Sequence, residues 1–130
     1  MQPARMAFSK LLVVDDDAAV RRLMGVMLER VGYEVVCADS AEQASKFLAE
    51  APFDLIITDV LMPGRDGIQF ITDVRKKYGK VKIIAASGGG LVGPSVYLQT
   101  ATALGADAIL PKPFTLTELL GAIEHADRKA

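Results

Sequence analysis

The sequence predicts an α/β domain built on a parallel sheet, and three observations predict it. Short apolar runs of strand length alternate with longer segments of helical period along the chain. The runs are apolar at successive positions rather than at every second one, as in "LLVV" (Leu11–Val14), which suits strands buried on both faces. Acidic and polar residues then stand at the downstream ends of the runs, where parallel sheets bind their ligands. Strands that alternate with helices pair in parallel through right-handed crossovers and carry helices on both faces.

The strand candidates are Leu11–Val14, Glu34–Ala38, Leu55–Thr58, Lys82–Ala86 and Ala108–Leu110. Between the first two, "AAVRRLMGVMLERVG" places Val20, Leu23, Met24, Met27 and Leu28 on one stripe and ends on Gly32, a helix-terminating glycine. Asp17, just ahead of this segment, reads as its N-terminal cap. "SAEQASKFLAE" opens with Ser40 three residues before Gln43, and "TLTELLGAIEHADRKA" opens with Thr115 three before Glu118. Both are capping-box spacings. "GIQFITDVRKKYG" supplies another helix, with Pro63 and Gly64 shaping the preceding loop and Asp66 as its cap. The segment from about Pro94 to Leu104 supplies one more, so five βα units are expected.

Composition narrows the function classes. A chain of 130 residues that is 51% hydrophobic and 24% charged has enough apolar content for a single core. The formal net charge of −1 offers no basic field for a phosphate backbone, which argues against direct nucleic-acid binding. A lone cysteine, Cys37, cannot pair internally and reads as a buried strand thiol, in keeping with a reducing compartment. No apolar run approaches membrane-spanning length and "MQPARMAFSK" lacks the apolar centre of a signal peptide, so a cytoplasmic location without a membrane span is expected.

The strand ends hold the chemistry. The first strand runs into Asp15 and Asp16, the third into Asp59, the fourth into Ser87, and the fifth leads to Lys112. Like charges about 4 Å apart repel by about 4 kcal/mol at an effective dielectric near 20, so carboxylates gathered at one sheet edge call for a cation, a proton or open water. Oxygen ligands suit Mg²⁺, whose remaining positions can hold phosphoryl oxygens. Ser87 can donate to such an oxygen, and Lys112 provides a compact positive charge. His125, near the end of the last helix, reads as solvent-facing.

With these residues in place, the chain resembles the response-regulator receiver domains of two-component signalling. The matching stretches are "VVDDD", "DLIITDVLMPGRDG", "IIAASG" and "GADAILPKPF". The resemblance spans Ser9 to the last helix, which leaves residues 1–8 as an N-terminal extension and 9–130 as the receiver domain. It implies a flavodoxin-like (βα)5 fold with strand order 2-1-3-4-5. It also makes Asp59 the phosphoacceptor, Asp15 and Asp16 the acidic pair serving Mg²⁺, Leu61 a metal ligand through its backbone carbonyl, Ser87 the phosphoryl-binding hydroxyl and Lys112 its ionic partner. A cis Lys112–Pro113 bond is implied as well. The implied phosphodonor is a histidine kinase or a phosphotransfer protein, and the implied recipient of the signal is a downstream protein or an output domain outside these residues. Two features depart from the pattern: the glycine-rich segment Gly88–Gly93, and Ile109 where the family carries an aromatic residue that reports phosphorylation.

Two other classes compete. Asp15-x-Asp17 has the form used by haloacid-dehalogenase-like phosphatases, with Asp15 as nucleophile, although Ala18–Ala19 follows where that class has Thr or Val. A phosphorylation-independent interaction domain would keep the fold without the switch, and the joint presence of Asp16, Asp59, Ser87 and Lys112 counts against it.

Overall fold

A computed structural model describes residues 9–60, 67–87, 99, 101–102 and 105–128. The order is β1 (Lys10–Val14), α1 (Ala18–Val31), β2 (Glu34–Ala38), α2 (Ala41–Glu50), β3 (Leu55–Asp59), α3 (Gly67–Lys77), β4 (Lys82–Ser87), β5 (Ala108–Pro111) and a last helix (Leu116–Arg128). Gln99, Ala101 and Thr102 are also helical, within the segment expected to form a helix before β5; the rest of that segment lies outside the described residues. So do the expected N-terminal extension, Leu61, the Pro63–Gly64 turn, the Asp66 cap and the Gly88–Gly93 segment.

All strands are parallel and ordered β2-β1-β3-β4-β5, as expected. Because successive strand residues point to opposite faces, the continuous apolar runs feed two cores. Leu12, Val14, Ile56, Ile83 and Ala85 face α2 and α3, where Ala44, Leu48, Phe70, Ile71 and Val74 meet them. Leu11, Val13, Leu55, Ile57 and Ile84 face α1 and the last helix, against Met24, Leu28, Leu119 and Ile123. At about 25 cal/mol per Å² of apolar area removed from water, these two layers supply the main driving force for folding.

The helix ends form as their sequences direct. Asp17 caps α1 by accepting from the Ala19 and Val20 amides, and Gly32 closes it in the left-handed region at φ 119°. Thr115 and Glu118 form a reciprocal capping box. Ser40 accepts from the Gln43 amide, while the Gln43 side chain turns back to the Asp39 amide rather than to Ser40.

Two side chains and three strand ends depart from expectation. Leu23 lies at the edge of the α1 stripe and remains 58% exposed, because Met24 and Leu28 take the positions that point into the sheet. Cys37 is half-buried, since β2 is an edge strand covered on one side only. Strands β3, β4 and β5 each run one residue further than the apolar pattern indicates, and this last step is what brings Asp59 and Ser87 into the ladder.

Candidate functional site

Strand order places the carboxyl ends of β1, β3 and β4 side by side in the middle of the sheet. Asp15 follows β1 directly, Asp59 closes β3 opposite Ala86, Ser87 closes β4 opposite Pro111, and Lys112 follows β5. Crossing bonds tie the edge together: the Asp15 amide donates to Ala38 O, the Val60 amide to Ala86 O and the Lys112 amide to Ser87 O. Four positions far apart in sequence thus meet at one edge through backbone geometry alone.

Asp15, Asp59 and Ser87 are buried, whereas Asp16 is exposed. Lys112 Nζ bridges the two buried acids, 2.6 Å from Asp15 Oδ2 and 2.9 Å from Asp59 Oδ2. Burial pulls the Lys112 ammonium down, and the hydrogen bonds and charges of Asp15 and Asp59 outweigh this, holding its pKa above the usual lysine value. The other oxygen of Asp15, Oδ1, accepts from the Asp17 amide at 2.9 Å. The Lys112–Pro113 peptide is cis.

The arrangement can hold a metal. Carboxylate oxygens of Asp15, Asp16 and Asp59 lie within 4.8 Å of one another. Three carboxylates against one ammonium leave a formal charge of −2 on the four groups, which a divalent cation cancels. Beside them the Ser87 hydroxyl is buried and makes no hydrogen bond among the described residues. Such a group is costly to leave unmatched, by about 1–3 kcal/mol, unless a ligand oxygen completes it. An all-oxygen donor set of this kind fits Mg²⁺ better than softer metals.

The expected residues Asp15, Asp16, Asp59, Ser87 and Lys112 therefore converge, and Leu61 lies outside the described residues. Asp17 is engaged at the start of α1, as its capping role requires, so the second acid of an Asp-x-Asp phosphatase motif is committed elsewhere. Two contributors carry little sequence signal. Arg21 donates through Nη1 to the backbone carbonyl of Asp15 at 2.8 Å, yet nothing in "VRRL" separates it from the exposed Arg22 beside it. Gly67 packs against the backbone of Asp59 and Val60 so closely that a Cβ there would lie 2.6 Å from Asp59 O. A glycine opening a helix is the one available hint.

Known proteins share this fold. Residues 11–124 match the family model described as "Response regulator receiver domain". The DNA-binding transcriptional regulator NtrC of Azospirillum brasilense is 36% identical over 121 residues, which cover 93% of this chain and 24% of that protein. The chain thus spans about a quarter of the length of the curated relatives it matches. Among solved structures, the Vibrio cholerae chemotaxis protein CheY4 superposes with a TM-score of 0.82 at 33% identity, over 92% of this chain and 99% of that one. The response regulator TrrA of Thermotoga maritima, solved in complex with Mg²⁺ and BeF, superposes with a TM-score of 0.81 at 31% identity, over 91% of this chain and 98% of that one. With residues 11–124 matched by that family model and its strands in the order β2-β1-β3-β4-β5, this chain belongs to the response-regulator receiver domains of two-component systems.

Proposed function

We propose that Asp59 accepts a phosphoryl group in a Mg²⁺-dependent step and that the phosphorylated domain changes its binding to a partner protein. The observation that carries this reading is the Lys112 ammonium bridging two buried acids, with the buried Ser87 hydroxyl left without a hydrogen bond among the described residues. An Asp59 oxygen attacks phosphorus, the bond to the donor's histidine nitrogen breaks, the imidazole leaves with a proton from water, and an acyl phosphate remains. Asp15, Asp16 and Asp59, together with the Leu61 carbonyl, would hold the Mg²⁺, which when bound neutralises charge on the phosphoryl oxygens. Lys112 and Ser87 bind those oxygens as they gain charge. Positioning and charge screening thus provide the catalysis.

The donor is a phosphohistidine on a histidine kinase or a phosphotransfer protein, encountered in the cytoplasm. A docking surface for it adjoins the site: α1 starts beside the acidic loop and presents Leu23 and Val26 to solvent, at 58% and 43% exposure. The recipient of the signal is a downstream protein or an output domain. Ser87 moving toward the new oxygens begins the response. On β5, Ile109 is 43% exposed and stands where the family has an aromatic, so the response here does not rely on a ring changing places.

The test is incubation with acetyl phosphate and Mg²⁺, then mapping of the modified residue by mass spectrometry. Label on Asp59 that is lost with EDTA and in Asp59→Asn is the expected result. Normal labelling of the Asp59→Asn protein at Asp15 would overturn the assignment.

A further inference from the structure

Where the strands begin, at the pole opposite the acidic edge, the segment "VRKKYGKVK" (Val74–Lys82) carries five cations and no acid. It forms one wall of an open groove of about 560 Å³, and the other wall is the end of α2 with the turn into β3. Leu48, Phe53, Tyr78 and Val81 make its floor apolar, and Glu50 is the one acid of its lining. Lysines surround it: Lys80 lines it, Lys77 Nζ stands 5.8 Å from the Tyr78 ring centre, and Lys10 Nζ stands 5.0 Å from that of Phe53.

Part of this charge has a local purpose. Arg75 is consumed in the wall itself, donating to the carbonyls of Gly79, Val81 and Gly105 and to Asp107. Cations in the last turn of α3 also complement the negative end of the helix dipole. Lys10 is paired with Glu34, 3.9 Å from its Oε2. Neither helix reason accounts for Lys80, which lies outside α3 and lines the apolar depression.

We propose that this groove docks an acidic, amphipathic peptide segment of a partner protein. Its apolar side chains would enter between Phe53 and Tyr78, and its carboxylates would meet Lys77 and Lys80. The shape and charge together select this occupant. A flat bilayer surface does not fill a concave groove. A nucleic-acid base requires an open aromatic face, whereas Phe53 and Tyr78 are half-buried and each already has a lysine over its ring. The chain's own residues 1–8, "MQPARMAF", include Arg5 and no acid, so they have the wrong charge. The surface is remote from the phosphorylation chemistry and does not depend on it.

The probe is a fluorescein-labelled peptide with leucines at i, i+3, i+4 and i+7 in a glutamate background, titrated with the whole chain and followed by anisotropy and amide NMR. Shift changes concentrated on Glu50–Phe53 and Lys77–Val81 are expected, with Kd rising about tenfold in a Lys77→Glu/Lys80→Glu variant and also rising with salt. Both positions are exposed, and a well-dispersed amide spectrum confirms that the variant is folded. The proposal is overturned if the peptide does not bind, if shifts fall elsewhere, or if the double variant or a lysine-background peptide binds equally well. It is also overturned if phosphatidylglycerol vesicles or a DNA duplex perturb the same amides at lower concentration.

Discussion

Gly67 and Asp59 share a backbone contact that no other residue type can make: a Cβ at Gly67 would lie 2.6 Å from Asp59 O and 2.5 Å from Val60 Cα. Both obstacles are main chain and cannot swing aside. Replacing Gly67 with alanine should therefore force β3 and α3 apart just where Asp59 is held, destabilising the fold by about 1–3 kcal/mol as overpacked sites do. Gly121 provides the contrast. It is exposed in the last helix and a methyl group added there would meet nothing within 4 Å, so Gly121→Ala should stabilise by up to about 1 kcal/mol through helix propensity. Urea denaturation of both variants checks the pair, and a loss at Gly121 equal to that at Gly67 would show that close packing is not the cause.

Lys112 has a second measurable signature. Removing it leaves Asp15 and Asp59 buried without their ammonium, so Lys112→Ala should lose about 2–4 kcal/mol at neutral pH in metal-free buffer. Added Mg²⁺ should recover part of that loss, because it supplies positive charge to the same oxygens. The pH dependence follows from the raised pKa of the lysine. A group whose folded pKa exceeds its unfolded value stabilises fully below the unfolded value, about 10.4, and loses that contribution as pH climbs through the folded one. The difference between wild type and Lys112→Ala should thus stay flat across neutral pH and shrink only above about 10.4. A difference that vanishes by pH 9 would refute the bridging role.

Much of this is legible in the sequence, for identifiable reasons. A parallel sheet buried on both faces writes itself as unbroken apolar runs, so β1 to β5 and both cores can be read directly. Site residues sit at strand ends, where the apolar pattern stops on a charge or a hydroxyl, and Asp15, Asp59 and Ser87 are such stops. The length of β3, β4 and β5 is harder to read, because a polar residue can complete a ladder as well as end it. Leu23 and Cys37 are less covered than their patterns suggest, because periodicity gives a face but not how much of it the neighbours cover. Arg21 and Gly67 act through another residue's backbone carbonyl, and carbonyls carry no sequence signal.

Asp54 secures the start of the sheet. Its Oδ2 accepts from the Ser9 amide, the Ser9 hydroxyl and the Lys10 amide, and its own amide donates to Lys10 O. Burial pushes the carboxyl up, and these donors more than reverse that, leaving its pKa below the usual aspartate value. A depressed acid stabilises above its unfolded pKa, about 3.9, and loses that contribution as pH falls through the folded value. Asp54→Asn should therefore cost under about 1 kcal/mol at pH 7, solvent screening keeping it small, and less at an acid pH below about 3.9. Thermal melts at the two pH values measure it, and an undiminished cost in acid would show that the carboxylate charge is irrelevant.

The exposed face of α1 separates the two kinds of phosphodonor. Leu23 and Val26 lie on the helix that starts beside the acidic loop but are not among the groups that form the site, so they cannot influence chemistry on a small donor directly. On the proposed function a protein donor covers this face as it delivers its phosphohistidine to Asp59, and apolar anchors near the centre of an interface carry much of its affinity. Leu23→Asp and Val26→Asp should leave stability nearly unchanged, since neither side chain is buried. Labelling by acetyl phosphate should proceed at the wild-type rate, while transfer from a phosphorylated kinase or phosphotransfer protein slows by about tenfold or more. Equal slowing with both donors would mean that the substitutions disturb the Asp15–Asp16 loop itself. Unchanged rates with both would mean that the protein donor approaches over another face.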